Sequence, residues 1–338
     1  MAAGGAGAWW WTRSDEASGP VSCSTLLADA RIQDALGSSF RTSMSCSELG
    51  EAMKKAAVGD EAGVHTETQA QAMRDILQST DDALTTSGQK SIESSLRLPL
   101  AQLIADYTPD TYEIFKALDA DYVKHASDDK PWSDSSGVHM AVWDDTLIRV
   151  TRAVADNPDA YAYVRDAQTR HAARVLIDIP RSADGVTLAT PAAGNASALG
   201  ALDAVAQDVT KDASSQAATE WTKDVVTALK RSAPAPVPHY GADPVGYIRG
   251  TWAAQLSPAA AGVVPKDFTE QGVQLLDLWA KGRADGFKPS ENLRKDCRNS
   301  QSERYGDTLD TLKKASAGKL ALGPSVPGPA GVATPGSA

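Results

Sequence analysis

The densest collection of chemically capable side chains lies between residues 125 and 145: His125, Asp128, Asp129, Trp132, Asp134, His139, Trp143, Asp144 and Asp145. Carboxylates near imidazoles can bind a cation, and carboxylates beside indole rings can hold or cleave a sugar. Long polar segments between packed elements often carry such work. His125, Asp128, Trp132, Asp134, His139 and Trp143 are therefore the candidate binding residues. A plainer reading stands beside it. Residues 128–136 would then be a solvated loop pinned to the protein by Trp132 and Trp143. Asp144 and Asp145 would favour a helix N-terminus through its dipole.

The rest of the chain offers less. His65, His125, His139, His171 and His239 are the only histidines, and none lies within four residues of another. No single helix can therefore present a histidine metal pair, and His171 reads as a partly exposed structural residue. Gly-x-Ser-x-Gly, the P-loop, HExxH, the EF-hand loop and the Rossmann glycine set are all missing. No catalytic residue, metal ligand or cofactor is assigned. Asn195-Ala196-Ser197 matches the glycosylation pattern, a three-residue signal that arises readily by chance.

Three cysteines occur, Cys23, Cys46 and Cys297. A helix over 25–36 would be about 18 Å long. Residues 37–45, extended at about 3.3 Å each, can return over that distance. A Cys23–Cys46 disulfide is thus geometrically feasible, with two unrelated buried thiols as the alternative. Cys297 would be free, or would displace one member of the pair. No spacing suggests zinc.

Residues 2–11 are uncharged and end in Trp9-Trp10-Trp11, with Arg13 close behind. Indole rings favour the membrane interface, yet a spanning helix needs roughly 20 apolar residues. Residues 1–20 are therefore expected to be part of a membrane anchor and its linker, completed by residues upstream of Met1. The formal net charge of −10 disfavours nucleic acid and anionic lipid as partners. Lys54-Lys55 and Lys313-Lys314 read as solvated helix faces.

The elements that must position these residues are helical nearly throughout. Capping boxes at Ser45/Glu48 and Thr66/Gln69 open helices over 46–58 and 67–79. Residues 92–107 form another, broken or restarted at Pro99. Asp110 caps the next, which runs through Ile114, Phe115, Leu118 and Tyr122. Asn157-Pro158 joins two helices with almost no loop. Residues 187–194 read as a small-residue loop, followed by helices over 196–213 and 216–231. Residues 233–238, rich in Pro, must be extended. Helices over 243–255, 267–282 and 300–316 complete the pattern. The expected fold is all-α, a bundle of about nine to eleven helices over 21–317, with a possible subdivision at 233–238. Residues 318–338, made of Gly, Pro, Ala and Ser for the most part, are expected to be disordered.

Ser95-Leu96-Arg97-Leu98-Pro99-Leu100-Ala101, Ala105-Asp106-Tyr107-Thr108-Pro109-Asp110-Thr111, Leu147-Ile148-Arg149-Val150 and Asp156-Asn157-Pro158-Asp159-Ala160-Tyr161 carry a family likeness. Over residues 90–280 the chain resembles uncharacterised helical proteins of Streptomyces-like actinobacteria. It also resembles helical regions of type VII secretion-associated proteins, although it lacks their Trp-x-Gly hairpin. The resemblance transfers no catalytic residue. Sequence and resemblance together point to a membrane-tethered extracytoplasmic binding module with an unknown protein partner in the cell envelope. Two alternatives are a hydrolase or glycan-acting enzyme using the loop 125–145, and a soluble cytoplasmic toxin- or immunity-like protein.

Overall fold

Capping residues start several helices at the expected places. In a computed structural model, which describes residues 19–59, 63–128, 130–180, 182–183, 185–257 and 264–316, both capping boxes form. Ser45 N–H donates to Glu48 Oε2 at 2.8 Å, and Thr66 N–H to Gln69 Oε1 at 2.8 Å. They open α3 (Cys46–Val58) and α4 (Glu67–Ser87). Asn157 Oδ1 accepts from Ala160 N–H at 3.0 Å at the start of α9 (Pro158–Ile177). The turn between α8 (Asp144–Val154) and α9 is as short as the Asn-Pro pair implies.

Fifteen α-helices are present among the described residues, more than expected, because several continuous patterns are cut by internal caps. Asp29 caps α2 (Ala30–Leu36) and so separates it from α1 (Cys23–Leu27). The stretch 92–122 becomes α5 (Ser94–Asp106), α6 (Thr108–Lys116) and α7 (Ala120–Ala126). Pro99 lies inside α5, which continues through it. Asp110 is not the cap of α6, which begins two residues earlier with Pro109 in its first turn. Glu270 divides α13 (Lys266–Thr269) from α14 (Gln271–Gly282).

Two further differences concern α10 (Gly185–Lys211) and α15 (Glu291–Ser316). The expected loop 187–194 is the first part of α10, since its alanines favour helix and Leu188 and Ala192 are buried. α15 starts before residue 300, burying Leu293 and Cys297 ahead of Gln301, Arg304 and Thr308 on one inner stripe. α11 (Ser215–Ser232) and α12 (Pro244–Gln255) lie near their expected bounds. One antiparallel hairpin, β1 (Trp132–Asp134) with β2 (Gly137–His139), interrupts the helices where no strand pattern was read.

A single apolar cluster runs from Val21 to Leu312 and draws on both sides of the Pro-rich segment. Gly200 of α10 meets α15 so closely that an added Cβ would sit 2.2 Å from the Gln301 carbonyl oxygen. At the centre, Arg165 Nη1 donates to Asp203 Oδ1 and to Tyr161 Oη, both at 2.8 Å. Its Nη2 reaches Gln271 Oε1 at 2.6 Å, and Gln301 Nε2 donates to Asp203 Oδ2 at 2.7 Å. Burying that charge is tolerable because nearly every polar atom has a partner.

Cys23 and Cys46 form a disulfide, with Cα atoms 5.3 Å apart. Cys297 is free and buried, and burial pushes its thiol up to about 12. No helix among the described residues is long and apolar enough to cross a membrane. Residues 1–18 and 317–338, and with them the expected anchor and tail, lie outside the described residues.

Candidate functional site

The hairpin gathers most of the candidate binding residues. Trp132 and His139 are directly paired across the strands, which brings the two rings to 5.1 Å. His125, in the last turn of α7, stacks on Trp132 at 4.4 Å with planes 8° apart, and its Nδ1 lies 2.6 Å from Asp128 Oδ2. Tyr122 meets the edge of Trp132 at 4.8 Å. Trp143 stands apart, 48% exposed at the entry to α8, with no ring contact among the described residues. Asp144 accepts from Arg304 Nη2 at 2.9 Å and Asp145 from Arg149 Nη1 at 2.7 Å. Both are tied to helices rather than to the cluster. Asp129 lies outside the described residues.

Two residues missed in the sequence organise this cluster. Asp110, nearly buried on α6, accepts from Tyr122 Oη at 2.6 Å, His139 Nδ1 at 2.8 Å and Met140 N–H at 3.0 Å. On the other side of the ring, His139 Nε2 lies 2.9 Å from Ser136 Oγ and 3.1 Å from Asp134 Oδ1. Ser136, His139 and Asp110 thus stand in the order of a Ser–His–Asp triad. Its chemistry is different. The hydrogen bond to Asp110, with the second carboxylate Asp134, raises His139 to about 9. The ring is an imidazolium at neutral pH and cannot take a proton from Ser136. The Ser136 hydroxyl donates instead to Asp134 Oδ1 at 2.6 Å. That bond, with the Ser136 N–H and His139, holds Asp134 below the usual carboxylate range. Burial and Asp110 keep Tyr122 protonated, so it donates. The arrangement is an ionic clasp fastening the hairpin to α6.

Two cavities among the described residues lie away from this cluster. A small one lies near Lys90, Arg149 and Arg152. The larger, about 600 Å³, is a groove along the outer face of α9. On α9 it is lined by Asp159, Tyr163, Asp166 and Arg170, spaced four, three and four residues apart, which is one helical stripe. Leu98, Gln102 and Ala105 of α5 form one wall, and Arg231 of α11 with Arg249 of α12 forms the other. Leu98 is 39% exposed and Tyr163 49%, two of the few large apolar side chains left in water. Three ion pairs rim the groove. Arg231 Nη2 meets Asp159 Oδ1 at 2.8 Å, Arg170 Nη2 meets Asp166 Oδ2 at 2.8 Å, and Arg249 Nε meets Asp166 Oδ1 at 2.5 Å. Asp106, at the α5 end, bonds His65 Nε2 at 2.7 Å, and that imidazole stacks on Tyr107.

The remaining sequence candidates are structural. His171 packs on Tyr112 at 4.6 Å, and burial lowers it to about 4, so it is neutral. Asn195 is buried, accepting from Tyr112 Oη and donating to the Ala172 carbonyl, and so is closed to glycosylation. Among the described residues no group of three His, Cys, Asp or Glu could hold a metal ion. No signal at the level of short motifs marks the groove, because four helices far apart in sequence each supply one surface stripe. No family model, curated protein or solved structure matches the chain.

Proposed function

We propose that this chain is a binding module of the cell envelope, tethered outside the cytoplasmic membrane through its N-terminal segment, and that a protein partner occupies the groove along α9. The groove carries the reading. Its volume falls within the range of functional sites, and such sites between helices combine apolar wall with a few placed polar groups. The Cys23–Cys46 disulfide supports an oxidising compartment and weighs against the cytoplasmic toxin- or immunity-like alternative. A histidine base for the enzyme alternative would have to be neutral in the loop 125–145, where His139 is instead an imidazolium held between carboxylates. The tether rests on Trp9–Trp11 and the uncharged residues before them.

The test is site-specific photo-crosslinking in the native host, with benzoylphenylalanine at Gln102 in the groove and at Lys223 on the exposed face of α11 as control. Adducts with an envelope protein from Gln102 alone are expected. Adducts from neither position, or equally from both, refute the groove as the binding site. Thiol trapping in the same cells should find Cys23 and Cys46 oxidised; reduced thiols would refute the compartment.

A further inference from the structure

The chain carries a formal charge of −10, yet the solvent-facing charges of the groove lean the other way. Arg231 is 70% exposed and Arg170 42%. Each spends one nitrogen on its carboxylate partner, and among the described residues neither makes any other hydrogen bond. A guanidinium has five N–H donors, so most of theirs are unspent on side chains that line the groove. The acids are differently placed. Asp166 is 10% exposed and already accepts from both Arg249 and Arg170. Asp106 is 11% exposed and faces His65. Asp159 alone is an exposed carboxylate, at 60%.

The shape narrows the occupant further. Asp159 to Arg170 covers about 16 Å, three turns at 1.5 Å per residue. Leu98 and Tyr163 offer apolar contact within that length, and the alanines Ala105, Ala162, Ala167 and Ala228 leave little side-chain bulk between them. Small residues let a second helix approach to about 8 Å between axes. Among the described residues that line the groove no sheet edge is available for an extended peptide to join, so an amphipathic helix lying along α9 is the matching form.

We propose that the groove docks an amphipathic helix of about three turns from a partner protein, with an apolar stripe set between α5 and α9 and flanking carboxylates paired with Arg170 and Arg231. This rests on the groove being the binding site.

Two fluorescein-labelled peptides of roughly 16 residues test it, sharing one Leu/Ala stripe at helical spacing and carrying either Glu or Lys on the flanks. Anisotropy at low salt should show the Glu peptide binding at least about tenfold more tightly than the Lys peptide. Arg170→Gln and Arg231→Gln should each weaken it about three- to fivefold, the scale of one exposed charge pair. Asp159→Asn should tighten it, because Arg231 is released, provided its melting curve matches the parent's. Equal or tighter binding of the Lys peptide, or weakening by Asp159→Asn, overturns the proposal. Binding of neither peptide overturns it too. Self-association in sedimentation that Tyr163→Arg abolishes would assign the groove to a second copy and overturns it as well. If neither peptide binds while Gln102 still cross-links an envelope protein, the acidic helix falls and the binding site stands. If Gln102 also captures nothing, both fall.

Discussion

Replacing Asp110 by Asn keeps the shape of the clasp and removes its buried charge. His139 then faces Asp134 alone, which is 54% exposed. A carboxylate in contact shifts a titrating partner by about 1–3 units. His139 should therefore fall from about 9 by one to two units toward the ordinary 6.5. At about 1.4 kcal/mol per unit, and discounted for the solvent on the Asp134 side, Asp110→Asn costs the hairpin about 2 kcal/mol at pH 7. The sign with pH follows from the folded value lying above the unfolded one. The His139 contribution is complete below about 6.5 and is lost as pH rises through 9. Asp134 acts oppositely: its folded value is depressed, so its contribution is present above 3.8 and fades as pH falls below it. The assay is NMR titration of 13Cε1-labelled histidines, His139 assigned by His139→Gln, with hydrogen exchange of the Met140 amide, which donates to Asp110. A parent His139 titrating near 6.5, or no change on Asp110→Asn, would refute the clasp. A neutral His139 could then accept a proton from Ser136.

Three further outcomes follow from the core and the staple. Asp203→Leu leaves Arg165 charged and unpaired in the interior and should cost about 3–5 kcal/mol in urea unfolding; adding Arg165→Met should recover most of it, and no recovery would refute the pairing. Gly200→Ala gains helix propensity but drives a methyl into the Gln301 carbonyl, so a net loss of about 1–2 kcal/mol is expected, and a stabilised variant would contradict the close α10–α15 approach. Cys23→Ser with Cys46→Ser removes a cross-link between residues 23 positions apart, worth about 3 kcal/mol in the loop-entropy picture; an unchanged urea midpoint would show the disulfide energetically silent.

The parts of the fold written in local chemistry could be read before the structure. Ser45, Thr66 and Asn157 cap their helices as their side chains and N3 partners require. What escaped has physical causes. Ala117 ends α6 in a left-handed conformation, φ 54°, at a residue type that announces no stop. The first nine residues of α15 hide because only Leu293 and Cys297 are buried there, among exposed or half-buried polar side chains. Two apolar positions flanked by Arg294, Lys295, Asp296 and Arg298 are too few for a search for apolar periodicity to find. Four of the six binding candidates in the loop come into ring contact or direct hydrogen bonding around Trp132 and His139. Its clasp was not legible, because Asp110 lies 29 positions from His139 and reads locally as a helix cap.

α9 joins the buried polar network to the groove. Its inner face carries Arg165, Gln168 and Thr169, bonded to α10, α14 and α6: Gln168 Nε2 donates to Thr111 Oγ1 at 2.9 Å and Gln271 Nε2 to Thr169 Oγ1 at 2.7 Å. Its outer face carries Asp159, Tyr163, Asp166 and Arg170. A helix fastened on one side by buried polar bonds can neither roll nor slide without breaking several of them, so the stripe on its other side is held in place before any partner arrives. Pre-organisation of that kind lowers the ordering cost of binding. Asp203→Leu, although remote from the groove, should therefore weaken a groove ligand in proportion to the loosening of α9, measured as faster hydrogen exchange along residues 158–177. Equal affinity in a variant whose α9 exchanges faster would separate the groove from the network beneath it and leave the rim charges to act alone.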